Sequence, residues 1–219
     1  MAVKVKEQAV SMETWNGNQM AVIDVETTGL RPYFHEIVQI CILPLDSNCD
    51  PRKNILPFYI NIKPESPERW NPEARELNRE LFVKCLESGH DEEKAKDLLR
   101  DWIKKLKLPL TKWGNPHKII PLGHNFAYDQ AFLKAWLWDE YEEFFDGRFR
   151  DTMVTAAYLN DRACFHANKI EFPKINLRYL ASCLKIDMAT REYRAHDAMA
   201  DCLTTAKIYK EFCKRGLLG

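Results

Sequence analysis

Apolar positions along this chain follow two periods. Met20 to Val25 (MAVIDV) is an apolar run carrying an acid near its end, and Glu36 to Leu43 (EIVQICIL) and Leu56 to Ile62 (LPFYINI) are two further runs of strand length. Gly29, Pro32, Pro44 and Pro51 punctuate the segments between them, so all three are predicted as buried strands. Links this short favour antiparallel neighbours, which predicts a meander. Asn71-Pro72 then opens a helical stretch. Asp91 to Leu106 has apolar residues at helical spacing, acids in its first turn and lysines in its last. Ile119 to Leu122 reads as a short strand, Ala127 to Trp138 as a helix, Phe149 to Asp151 as a brief strand, and Thr152 to Leu159 as a helix. Asn176 is placed to cap a helix through Leu184, and Asp197 to Lys214 is a long final helix. Residues 160–175 have no clear period and are expected to form a loop beside the functional site. Strands first, then alternation with helices, define an α/β fold with a mixed sheet. Residues 1–18 are expected to be a lead-in and residues 19–219 a single domain.

Composition narrows the class. The chain has 219 residues, 46% of them hydrophobic and 29% charged, which excludes a disordered or collagen-like protein. No apolar stretch approaches the ~20 residues of a membrane span, and the first ten residues lack the apolar centre of a secretory signal. Seven cysteines occur without a C-x-x-C pair, as expected of free thiols in a reducing, cytoplasmic setting. Basic and acidic side chains number 32 each, which argues against a mainly electrostatic binder of long duplexes. Lys104, Lys105, Lys107, Lys112 and Lys118 nonetheless form an acid-free patch, read either as strand-tracking or as a solvated helix end. Asp139, Glu140, Glu142, Glu143 and Asp146 form an opposite cluster where no nucleic acid is expected.

Three segments carry candidate chemistry. Asp24 and Glu26 stand two apart at the end of the first strand, so they share a face and repel unless a cation neutralises them. A salt-bridged strand end is the competing reading. Gly123-His124-Asn125 closes a later strand, and Asp129 falls in the first turn of the helix that follows, where it either compensates the helix dipole or supplies a third carboxylate. His196 and Asp201 flank the start of the last helix. A spacing of five turns the two about 140° apart on an ideal helix, so His196 is placed on the preceding loop. Asp197 suits the N-cap better than a ligand role.

Together AVIDVETTGL (21–30), PLGHNFAYDQAFL (121–133) and RAHDAMADCLTTAKIY (194–209) resemble the DEDDh branch of the DnaQ-like 3′–5′ exonucleases. NLRYLASCLKI (176–186) resembles the helix before the third motif of that branch. The resemblance implies an RNase H-like mixed sheet, with three antiparallel strands followed by parallel ones and helices around it. It implies hydrolysis of phosphodiesters from the 3′ end of single-stranded DNA or RNA, releasing nucleoside 5′-monophosphates. It implies two divalent ions, Mg²⁺ or Mn²⁺, held by Asp24, Glu26, Asp129 and Asp201, a donor set of hard oxygens suited to them. It makes His196 the general base, whose ordinary pKa near 6.5 suits proton abstraction at neutral pH. Thr27, Thr28 and Leu30 are expected to receive the terminal nucleotide through backbone and apolar contacts, with His124, Asn125 and Tyr128 across the site. Phe126 and Tyr128 are either base-stacking aromatics or helix-face packing. The expected partner is a single-stranded 3′ end and not a membrane, with a polymerase or a second copy of the chain left open. Proofreading subunits of this kind carry a tail beyond the nuclease domain, and this chain stops soon after the last helix, so a stand-alone nuclease is expected. RNase T-like and oligoribonuclease-like activities both fit, and a silent nucleic-acid-binding module is the competing class.

Overall fold

In a computed structural model of the protein, the structure describes residues 14–15, 18–187 and 197–215. A mixed sheet runs in the order β4-β3-β2-β5-β6, and a short β1 (Thr14–Trp15) also pairs with β2. β2 (Asn18–Thr27), β3 (Ile37–Pro44) and β4 (Phe58–Asn61) are the antiparallel meander expected from the apolar runs. β5 (Ile119–Gly123) lies parallel to β2, and β6 (Arg150–Asp151) parallel to β5. The RNase H-like arrangement is thus present: antiparallel strands on one side of β2, parallel strands on the other.

Alternation along β2 assigns its two faces. Ala21, Ile23 and Val25 enter one core, which holds Leu99 and Trp102 of α3 (Glu92–Lys105) and Phe126, Phe132 and Leu133 of α4 (Phe126–Leu137). Met20 and Val22 enter the other, against Ala198, Met199, Cys202 and Ala206 of α8 (Ala198–Lys214). Side chains two apart share a face, so Asp24 and Glu26 continue the row that packs on α8. The ladder between β2 and β3 shifts register at Glu26/Thr27, a bulge that ends regular pairing just past the two acids.

Asn71 caps α1 (Pro72–Leu77), accepting from Glu73 N and Ala74 N, and α2 (Arg79–Ser88) follows. α5 (Glu140–Phe144) joins α4 to β6, and its acids meet the end of α3: Arg100 Nε and Nη2 donate to Glu140 at 2.8 and 2.6 Å. Lys104, Lys107 and Lys118 therefore line one groove with Glu140, Glu142 and Glu143. Across that groove Lys118 Nζ donates to Glu142 O and its charge helps to lower the Asp146 pKa, while Lys104 pairs with Asp101. The solvated-helix-end reading of the lysines is the better one.

α6 (Thr152–Phe165) runs six residues past its expected end at Leu159, which corrects the loop expected over residues 160–175. Asn160 explains the difference. Its side chain donates to Phe172 O and accepts from Phe172 N, folding the following segment back onto the helix rather than ending it. Phe172 packs on Phe212 of α8, with α7 (Leu177–Cys183) completing that cluster. Phe212 lies eleven residues beyond Asp201, about 16 Å along the helix, so this segment buttresses the far end of α8 rather than the acids.

Candidate active site

The end of β2 and the start of α8 meet at three carboxylates. Asp24, Glu26 and Asp201 each offer an oxygen, and these oxygens lie within 4.8 Å of one another. Among the described residues none of them makes an ion pair with Lys or Arg. Burial and the neighbouring acids push all three pKa values up. Asp24 is raised well above the usual carboxylate range by desolvation and then by Asp129, Glu26 and Asp201. Glu26 rises to about 8 and Asp201 to about 6, in each case mainly through burial. Asn78 Nδ2 approaches Glu26 Oε2 at 3.4 Å and opposes the shift slightly.

Asp129 is 4% exposed and stands beside this trio rather than inside it. Its Oδ1 accepts from Val25 N at 3.0 Å, which fastens α4 to the end of β2. Burial raises it to about 8 despite that hydrogen bond. Of the charges that raise the Asp24 pKa, that of Asp129 is the largest.

Local capping aims these residues. Asp197 is the N-cap of α8, accepting from Met199 N and Ala200 N, so the cap reading is the right one. Tyr59 OH donates to Asp197 at 2.6 Å and Ala198 N donates to Gln39 Oε1, which pins the first turn of α8 to the sheet four residues before Asp201. Asp151 was not singled out by sequence reasoning, yet its carboxylate accepts from Asn125 N, Phe126 N, Met153 N and Val154 N. One side chain thus caps α6 and also holds the start of α4, where Asp129 sits. Its sequence signal is half visible, as an Asp just before a predicted helix; the two bonds to the start of α4 cross 26 and 25 residues and leave no local trace.

The segments expected to hold substrate are ordered by internal contacts. Thr27 and Thr28 are buried; Thr27 Oγ1 donates to Gly29 O, and Thr28 Oγ1 accepts from Glu36 N. Tyr128 OH lies 2.7 Å from Thr27 Oγ1 and 3.0 Å from Gly29 O, tying α4 to this loop. Leu30 projects with 79% exposure. His124 Nδ1 meets Thr152 Oγ1 at 2.9 Å, and burial lowers its pKa, which favours the neutral imidazole. Asn125 is exposed and takes a left-handed backbone (φ 63°) at the turn into α4. Phe126 is fully buried, and packing is its role rather than stacking on a base. His196 lies outside the described residues; it directly precedes the Asp197 cap in sequence.

The arrangement matches known proteins. A family model described as exonuclease matches residues 21–112. An oligoribonuclease from Buchnera aphidicola is 30% identical over 151 residues, covering 65% of this chain and 76% of that protein. The chain belongs to this family, the DnaQ-like 3′–5′ exonucleases of the RNase H-like superfamily. Solved structures share the fold. Exonuclease I of E. coli in complex with a dT13 oligonucleotide superposes with a TM-score of 0.65 at 20% identity, over 92% of this chain. Cell-death related nuclease 4 superposes at 0.66 and 16% identity, over 91% of this chain. This chain spans 42% of the exonuclease I chain and 64% of the nuclease 4 chain.

Proposed function

We propose that this chain is a divalent-metal-dependent exonuclease that removes nucleotides from the 3′ end of short single-stranded nucleic acid, RNA oligonucleotides foremost. The observation that carries the metal dependence is the cluster of Asp24, Glu26 and Asp201, three carboxylates whose oxygens lie within 4.8 Å of one another with no Lys or Arg ion pair among the described residues. Such a set is a poor salt-bridge site and a good hard-cation site. Asp24, Glu26 and Asp201 would hold the ions, with Asp129 beside them as a further ligand; all-oxygen ligation fits Mg²⁺ or Mn²⁺. Two such ions, when bound, stabilise charge on the attacking and leaving oxygens of a phosphodiester. In the proposed mechanism His196 takes the proton of the attacking water. Leu30 packs on the terminal base, and Thr27, Thr28, His124, Asn125 and Tyr128 shape the walls of that position.

The short-RNA preference rests on the oligoribonuclease relative, and acceptance of DNA on the oligonucleotide named with the exonuclease I neighbour. The unpaired thiols support a reducing, cytoplasmic setting, and among the described residues no helix is long and apolar enough to cross a membrane. The test is digestion of 5′-labelled RNA and DNA oligonucleotides with Mg²⁺, Mn²⁺ or EDTA. A ladder shortening from the 3′ end, with 5′-monophosphates as product and none in EDTA, is expected. Cleavage that survives EDTA, or that starts internally, overturns the reading.

A further inference from the structure

Beyond the acids, the loop of residues 29–36 carries an unusual surface. It is closed by Thr28 N to Glu36 O and tightened by Phe34 N and His35 N, which both donate to Arg31 O. Arg31 N donates to His35 Nδ1 at 3.0 Å, and the His35 ring lies so close to Gly29 that a Cβ there would sit 2.5 Å from it. A loop this constrained nevertheless turns its aromatics outward: Tyr33 is 71% exposed and holds a left-handed backbone (φ 67°). Trp138, just past the end of α4, is 68% exposed with φ 51° and meets Tyr33 at 5.8 Å between ring centroids. Two exposed aromatics paired at strained backbone positions gain little for folding, and such strain points to function.

Cations complete the surface. The Arg31 guanidinium lies 4.3 Å and that of Arg69 5.5 Å from the centre of the Phe34 ring, and neither makes an ion pair among the described residues. Behind Tyr33 and Phe34 lies a pocket of about 170 Å³ reaching Trp136, whose buried Nε1–H has no acceptor among the described residues. Glu36, Glu65 and Glu92 line the same pocket together with Lys63 and Arg69, a mixture of acceptors and donors that suits a group offering both carbonyl oxygens and N–H donors, as a nucleobase edge does.

We propose that Tyr33, Phe34 and Trp138, with Arg31 and Arg69, form a stacking platform for bases lying 5′ of the nucleotide being removed. This rests on the exonuclease reading. Aromatic faces interleaved with guanidinium groups bind single strands without regard to sequence. Trp138 lies nine residues past Asp129, about 13 Å along the axis of α4, so the platform stands apart from the acids rather than among them. The platform therefore acts on longer substrates and sets a length preference.

The test compares kcat/KM for a heptanucleotide and a dinucleotide with the native protein, Tyr33→Ala, Trp138→Ala and the double variant. The heptamer-to-dimer ratio is expected to fall about five- to a hundredfold, through KM, as loss of base stacking predicts. Tyr33→Phe and Trp138→Phe should keep most of it, and Phe165→Ala, an exposed aromatic on α6, should leave it unchanged. An unaltered ratio in the double variant overturns the platform while leaving the exonuclease reading intact. If the native protein cleaves neither substrate, the exonuclease reading fails. The platform is then decided by anisotropy of a fluorescent heptanucleotide in Ca²⁺, where an unchanged Kd in the double variant refutes it.

Discussion

At the scale of single residues, the acids are distinguished by what surrounds them. Ordinary surface carboxylates titrate near pH 4, but Glu26 and Asp129 are pushed up to about 8, first by burial and then by neighbouring acids, Asp201 and Asp129 acting on Glu26 and Asp151 and Asp201 on Asp129. Asp24→Asn or Asp201→Asn should remove a ligand and lower the Mg²⁺-supported rate by at least about a hundredfold. The same change relieves repulsion, so the metal-free variant should melt a few degrees higher than the native protein. Near-native turnover, followed by 5′-monophosphate release, would dismiss the ligand assignment. His196 answers to a different readout. His196→Ala should keep metal binding, seen as an unchanged thermal shift with Mn²⁺, and lose about 10²–10⁴ in rate, the usual contribution of a general base. A variant with native rate and an unaltered pH profile excludes that role.

At the scale of elements, the sequence made the clustered acids legible because each stands at the end of a strand or helix whose pattern is strong. Met20 to Val25 announces β2, and strict alternation then puts Asp24 and Glu26 on the face that meets α8. Elements governed by long-range contacts were less visible. Asn160 and Phe172 close on each other across a span that looks irregular in sequence, so the periodicity ends α6 six residues early. α5 was read only as a run of acids, since its helix depends on Tyr141 being buried against the α4 side of the core. Asp151 is the sharpest omission, because half its hydrogen bonds go to a helix start 25 residues earlier. Asp151→Ala should cost about 1–3 kcal/mol, the range for a lost N-cap together with buried donors left unpaired. Asp129 should shift with the start of α4, so activity should fall even at temperatures where the variant is fully folded. Chemical denaturation paired with a rate measured well below the midpoint checks both parts; unchanged stability and rate would show that Asp151 organises nothing.

At the scale of the whole molecule, the acids join β2, α4 and α8, the strand and two helices drawn from the beginning, middle and end of the chain. Their repulsion is therefore a strain on the global fold, and its dependence on pH has a definite sign. Glu26, Asp129 and Asp201 have folded pKa values of about 8, 8 and 6, above the roughly 4 expected in the unfolded chain. Groups raised in this way favour the folded state while protonated; that stability is complete below pH 4 and is lost as pH rises through 6 to 8. In EDTA the melting temperature attributable to these groups should fall steadily between pH 5 and pH 9. Divalent ions reverse the trend, because they bind the ionised form and displace its protons. At a hundred times Kd the gain is about 2.7 kcal/mol, or roughly 5–10 °C for a chain of this length. The gain should be largest near pH 8 and small near pH 5, where protons compete. Thermal melts across this pH range, with EDTA and with saturating Mg²⁺ or Mn²⁺, measure the difference directly. A metal-induced shift independent of pH would place the ions elsewhere on the molecule, away from Asp24, Glu26, Asp129 and Asp201.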